Sequence, residues 1–111
     1  MAKDDYFRIV YQVLDFLYSQ LRKGIRKVPV EVLIREGNIP NIPKEYFWQI
    51  IDDLIEERYV KSFRSETQYI HSDIPPITKL SITMKGIEYL IDNSMMKKAA
   101  EALKTIADLI P

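Results

Sequence analysis

The chain has 111 residues, of which 47% are hydrophobic and 29% charged, and its sixteen basic and sixteen acidic side chains give a formal net charge of zero. These values fit one domain with a packed core and exclude general disorder. The sequence has no cysteine, no apolar N-terminal stretch of signal-peptide type and no run near the ~20 apolar residues of a membrane span, so we expect a single soluble, cytoplasmic domain over residues 1–111 that does not bind membranes.

The first predicted helix runs from about residue 5 to residue 22, and Gly24 ends it. It carries two adjacent apolar stripes, in which residues recur every three or four positions. One stripe contains Phe7, Val10, Leu14, Leu17 and Leu21, and the other contains Tyr6, Ile9, Val13 and Phe16. Because apolar residues occupy so much of its circumference, we expect this helix to be covered from two sides.

Prolines open the next two predicted helices, since the first position of a helix does not need a backbone N–H. Pro29 begins a short helix that ends at Gly37 and Asn38. Its buried side would be formed by Val30, Val32, Leu33 and Ile34. Pro43 begins a third helix that reaches about Tyr59. The inner face of that helix would be formed by Phe47, Ile50, Ile51 and Leu54.

Beyond the third helix the pattern changes to an alternation of period two, which predicts strands at 59–64 and 79–82 joined by the long connection 65–78. Thr83 then caps a fourth helix that extends to about Asp92. Its inner face would be formed by Ile87, Leu90 and Ile91. A fifth helix is predicted at 94–110. This order predicts an α+β, mostly α fold: a winged helix-turn-helix core over 5–92, with a two-stranded wing and a C-terminal helical extension.

Three segments resemble the YjcQ-like family of small proteins from Firmicutes and their phages: 4–11 (DDYFRIVY), 81–90 (SITMKGIEYL) and 92–98 (DNSMMKK). The resemblance covers both ends of the chain and the third helix, but not the long connection 65–78. It implies a winged-helix fold and a phage or prophage origin. It brings no catalytic residues.

Catalytic motifs are absent from the sequence. His71, the one histidine, adjoins Ser72 and Asp73, but a catalytic triad requires three side chains that meet in space beside an oxyanion site. We interpret it as an exposed loop histidine. There is no EF-hand loop and no glycine-rich phosphate loop. We therefore expect a non-enzymatic protein without a metal site or a cofactor.

The outward face of the third helix is acidic. In the usual winged-helix mode this helix enters the major groove of DNA, where affinity comes largely from cations that displace counterions. A rotation of about 100° per residue places four carboxylates and one amide opposite the inner face. These residues are Glu45, Gln49, Asp52, Asp53 and Glu56. We expect that the third helix does not read DNA in the usual way, and its acidic face is instead a candidate surface for a protein partner.

Cations are concentrated in two other regions. The turn after the first helix carries Arg22, Lys23, Arg26 and Lys27, and the predicted strands carry Lys61, Arg64 and Lys79. Together they form a candidate patch for DNA phosphates, built from the loop and the wing. An ordinary solvated surface is the alternative interpretation, and we favour it for the loop.

The predicted fifth helix has an apolar stripe whose members are spaced by three and four residues, which is typical of the seam between two helices. The stripe contains Met96, Ala99, Leu103, Ile106 and Ile110. It would pack either on the first helix of the same chain or on a second copy in a homodimer.

Our leading hypothesis is a regulatory protein of phage or prophage type that binds DNA through the wing and the basic loop. DNA is the expectation for this fold, by analogy. The alternative is a protein–protein interaction module whose acidic third helix contacts a basic partner.

Overall fold

The computed structural model describes residues 3–65 and 76–94, which form four helices and a three-stranded antiparallel sheet. The helices are α1 (Lys3–Arg22), α2 (Val30–Glu36), α3 (Lys44–Glu56) and α4 (Met84–Asp92). The strands are β1 (Val28–Pro29), β2 (Val60–Arg64) and β3 (Ile77–Ile82). The architecture is therefore α+β and mostly helical, as predicted.

The helix α1 contributes the centre of the core, because it contacts all three other helices and β3. Five of its hydrophobic side chains are buried: Ile9, Val10, Val13, Leu14 and Leu17. The expectation that α1 is covered from two sides is confirmed for this part of the helix. None of the described helices is long and apolar enough to cross a lipid bilayer.

The sheet has three strands, and not the two that the sequence predicted. Its order is β1-β3-β2, with Val28 opposite Leu80 and Pro29 opposite Lys79. The strand β1 has only two residues, which is too short for an alternating pattern to be visible in the sequence. It extends just to Pro29, because α2 begins at Val30.

The two faces of the sheet differ in chemistry. Val28, Val60, Leu80 and Ile82 are buried against the helices. Because successive side chains of a strand point to opposite faces, the intervening residues lie on the other face. Lys61 is opposite Ser81 and Phe63 is opposite Lys79 in the pairing of β2 with β3, which becomes irregular between Phe63 and Arg64.

A capping threonine and a glycine fix the start of α4 against the turn that leads into β2. The Thr83 hydroxyl accepts a hydrogen bond from the Gly86 N–H at 3.1 Å and donates to the carbonyl oxygen of Arg58 at 2.6 Å. A Cβ atom at Gly86 would lie 2.4 Å from the carbonyl oxygen of Tyr59. The helix therefore approaches this backbone more closely than a larger residue would allow.

Three residues predicted to lie on inner faces are exposed instead. Phe7 of α1 is 48% exposed, Ile34 of α2 is 51% exposed and Ile91 of α4 is 67% exposed. The predicted third helix was also too long, since α3 ends at Glu56. The predicted fifth helix lies outside the described residues.

Candidate nucleic-acid interface

Four side chains that the sequence places far apart meet on the face of the sheet that points away from the core. Phe63 of β2 lies opposite Lys79 of β3, and Lys61 follows on the same face. The ammonium nitrogen of Lys27, just before β1, lies 4.5 Å from the centroid of the Phe63 ring. We call the surface formed by Lys27, Lys61, Phe63 and Lys79 the outer sheet face.

The charge of the outer sheet face is entirely positive at the strand positions. All three of its lysines are exposed, and no residue of β1, β2 or β3 is acidic. Ser81, opposite Lys61, is small and buried. A face of this kind presents a group of ammonium ions with no carboxylate between them.

A second pair of a cation and a ring lies just before β2, beside α4. The ammonium nitrogen of Lys85 lies 5.4 Å from the centroid of the Tyr59 ring. Tyr59 precedes Lys61 by two residues, and its ring lies 5.0 Å from that of Tyr89. The sequence analysis missed Lys85, because it lies in a helix and only its contact with Tyr59 places it beside the sheet.

The rings of Phe63 and Tyr59 orient two of these lysine side chains, those of Lys27 and Lys85. An ammonium group above a ring gains about 0.5–1 kcal/mol at an exposed site, and both Lys27 and Lys85 are exposed to solvent. Lysine acts as a compact point charge that suits phosphate oxygens, whereas arginine binds bases or phosphates in a bidentate manner. The outer sheet face is therefore suited to the backbone of a nucleic acid and not to reading bases.

The described contacts do not group the other four predicted cations with the outer sheet face. The Arg22 guanidinium lies 5.7 Å from the centroid of the Tyr18 ring, over its own helix. Lys23 and Arg26 are exposed in the turn between α1 and β1. Arg64 is exposed at the end of β2, beyond the irregularity in its pairing. Of the seven predicted phosphate contacts, the described contacts and register group Lys27, Lys61 and Lys79.

The acidic face of α3 points outward, as its sequence pattern indicates. The four predicted inner residues of the helix are buried. Glu45, Gln49, Asp52 and Glu56 are exposed, whereas Asp53 is half-buried. This face therefore presents carboxylates to solvent along most of the helix.

Asp53 is held by two neutral donors. The Tyr6 hydroxyl and the Gln49 side-chain nitrogen, the latter at 2.9 Å, both donate hydrogen bonds to its carboxylate. Burial raises the pKa of Tyr6, and the hydrogen bond to Asp53 and the charge of that carboxylate raise it further. Neither donor carries a positive charge, so neither forms an ion pair with Asp53.

The predicted dimer seam lies outside the described residues. All five of its members, from Met96 to Ile110, follow Ser94, the last described residue. The choice between packing on α1 and pairing with a second copy stays a prediction.

Comparison with known proteins identifies a family. No curated protein and no solved structure matches the chain. Residues 11–109 match the family model described as YjcQ protein, and this match includes the whole sheet and the three helices α2, α3 and α4. Because the match spans well over half of its length, the chain belongs to the YjcQ protein family.

Proposed function

We propose that this protein is a non-enzymatic winged-helix protein that binds double-stranded DNA through its outer sheet face. The grouping of Lys27, Lys61 and Lys79 around Phe63, on a sheet with no acidic residue, is the observation that supports this role most directly. A regulator of phage or prophage type is the setting that the family resemblance favours.

The charge of DNA explains why this surface suits it better than α3 does. A duplex carries one negative charge per ~1.7 Å of its axis, and bound lysines gain affinity by releasing condensed counterions. The exposed Asp52 and Glu56 of α3 would be repelled by the same charges. In the proposed mode the sheet contacts phosphates, and α3 does not enter the major groove.

Salt dependence of duplex binding tests this proposal. Fluorescence anisotropy would measure the affinity of the full chain for a mixed-sequence duplex over a range of salt concentrations. We expect Lys61→Ala and Lys79→Ala each to weaken binding and to reduce the slope of log affinity against log salt by ~1.

Arg35→Ala provides the control, because Arg35 is an exposed cation in the last turn of α2, outside the outer sheet face. It should leave the slope unchanged. An equal loss from Arg35→Ala would mean that only total charge matters. Absence of salt-dependent binding by the wild-type chain would refute the proposal.

The exposed carboxylates of α3 support a second candidate function, in which this helix contacts a basic protein surface. The double variant Asp52→Lys with Glu56→Lys would then lose a partner that the wild type captures from a host lysate. The double variant Glu88→Lys with Asp92→Lys, which reverses two exposed charges of α4, would keep it. If both variants keep the partner, α3 is not the contact surface.

A further inference from the structure

A groove of about 810 Å³ opens beside the sheet, away from the residues that carry the proposed DNA contacts except at Lys79. It lies between the start of α2, the segment 39–42, the start of α3 and the start of β3. Its apolar lining includes Ile34, Ile39, Ile42, Trp48 and Ile77. This volume is within the range of ~300–1,000 Å³ that is typical of ligand-binding clefts.

One wall of the groove is an incomplete sheet edge. The strand β1 pairs with β3 only at Leu80 and Lys79. The two preceding residues of β3, Thr78 and Ile77, line the groove. In the described ranges 3–65 and 76–94, no strand pairs with Ile77 or Thr78 on the β1 side. Pro29 prevents β1 from covering them, since the chain turns into α2 directly after it.

Within the described residues this strand edge has no neighbour on the β1 side and lies beside the apolar groove, an arrangement that fits one kind of occupant. The backbone of an added strand would pair with the edge, while its alternate side chains would enter the groove. A helix would leave the edge backbone unpaired. The geometry therefore favours an extended peptide.

Charges at the rim define the chemistry of the occupant further. Lys44 and Lys79 line the groove together with one carboxylate, that of Glu31, and all three are exposed. The rim is therefore positive by one charge. An acidic residue in the occupant would be stabilised near Lys44, which stands at the first turn of α3.

We infer that this groove binds an extended segment of a partner protein, which adds a short strand beside Ile77 and Thr78. The segment inserts alternate apolar side chains next to Trp48 and places an acidic residue at Lys44. This interaction shares only Lys79 with the proposed DNA-binding surface.

Trp48 makes the inference directly measurable, because it is the one tryptophan of the chain and it lines the groove. Peptides would be selected on the full chain from a displayed library of random linear peptides. We expect enrichment of sequences that alternate apolar residues and carry an acidic one. A synthetic peptide of the enriched sequence should change the fluorescence of Trp48 in a saturable manner.

Two matched variants test the location of binding. Ile34→Glu places a charge in the groove, and it should weaken binding of that peptide at least about tenfold, a loss typical of a disrupted interface contact. Met84→Glu makes the same kind of change at a side chain that is 75% exposed and outside the groove. It should bind as the wild type does. Because both residues are largely exposed, both variants should keep the unfolding midpoint of the wild type.

Methylation of the peptide backbone tests strand addition. Methyl groups on the amide nitrogens that face β3 should abolish binding, and methyl groups on the intervening nitrogens should not, because only alternate amides of a strand face its neighbour. Equal effects at all positions would overturn the added strand. Failure of the selection to enrich any sequence over the Ile34→Glu variant would overturn the groove as a peptide site.

The proposed peptide binding and the proposed DNA binding can be tested independently. Ile34→Glu should leave the duplex affinity unchanged, and Lys61→Ala, which lies outside the groove, should leave the peptide affinity unchanged. Loss of both activities in either of these two variants would show that the two surfaces are not independent, which would contradict the inference.

Discussion

The carboxylate of Asp53 differs from the other acids of α3, because it anchors the N-terminal part of α1. Tyr6 donates a hydrogen bond to it across the interface of the two helices. The Tyr6 ring also contacts Phe7 and Tyr46, edge to face, with centroid distances of 5.2 and 6.5 Å. One residue of the acidic face is therefore structural, and Glu45, Asp52 and Glu56 remain as the exposed charges.

The raised pKa of Tyr6 predicts a loss of stability in alkaline solution. Above about pH 10 tyrosine ionises in the unfolded chain, but the folded state keeps Tyr6 protonated, since burial and the Asp53 carboxylate disfavour the phenolate. The unfolded state then binds fewer protons, so the free energy of unfolding falls as the pH rises. Urea unfolding at about pH 9 and about pH 11 should show a smaller fall for Tyr6→Phe than for the wild type.

Phe7→Leu is the control for this prediction, because it alters the neighbouring ring without removing an ionisable group. It should keep the pH dependence of the wild type. If Tyr6→Phe and the wild type lose the same free energy between the two pH values, the hydroxyl of Tyr6 does not carry the effect.

At the residue scale, the sequence identified candidate cations and carboxylates, but it did not show which of the cations lie together on one surface. Lys27, Lys61 and Lys79 share a face because of the register of three strands, and the shortest strand left no pattern in the sequence. Lys85 was missed for the same kind of reason. Conversely, the outward direction of Asp52 and Glu56 followed from the helical period alone.

At the scale of elements, periodicity predicted which residues share a face but not whether another element covers it. Leu14 and Phe7 belong to the same predicted stripe of α1, yet Leu14 is fully buried and Phe7 is about half exposed. The same holds for Leu90 and Ile91 of α4. Local signals were more dependable, since the predicted cap at Thr83 and the limits of α4 agree with the structure.

The Thr83 cap connects α4 to the turn before β2, and its removal should destabilise the whole domain. In Thr83→Ala the N–H of Gly86 and the carbonyl oxygen of Arg58 both lose their partner. We expect the free energy of unfolding to fall by about 1 kcal/mol. Urea denaturation followed by circular dichroism would measure this change.

Thr83→Ser distinguishes the hydroxyl from the methyl group. The serine variant keeps both hydrogen bonds, so its midpoint should lie much closer to that of the wild type. Equal destabilisation by alanine and serine would indicate that packing of the threonine methyl group, and not the cap, stabilises the start of α4.

At the scale of the whole molecule, the formal charge of zero conceals a separation of charge between surfaces. The strands of the sheet carry cations and no acid, whereas the outward face of α3 carries carboxylates. Electrostatic attraction in solution is screened over ~10 Å at 0.1 M salt. A polyanion that approaches the outer sheet face therefore responds to the local lysines more than to the net charge of the chain.

Cation-exchange chromatography near neutral pH tests this separation without DNA. A uniformly mixed surface of zero net charge would pass through a sulfonate resin, whereas a cluster of lysines binds to it. Two double variants carry the same net charge: Lys61→Gln with Lys79→Gln, and Arg35→Gln with Lys44→Gln. We expect the first to elute at clearly lower salt than the second, because only the first removes charge from the outer sheet face. Elution of both at the same salt concentration would show that the resin responds to total charge. The outer sheet face would then not be a distinct anion-binding surface.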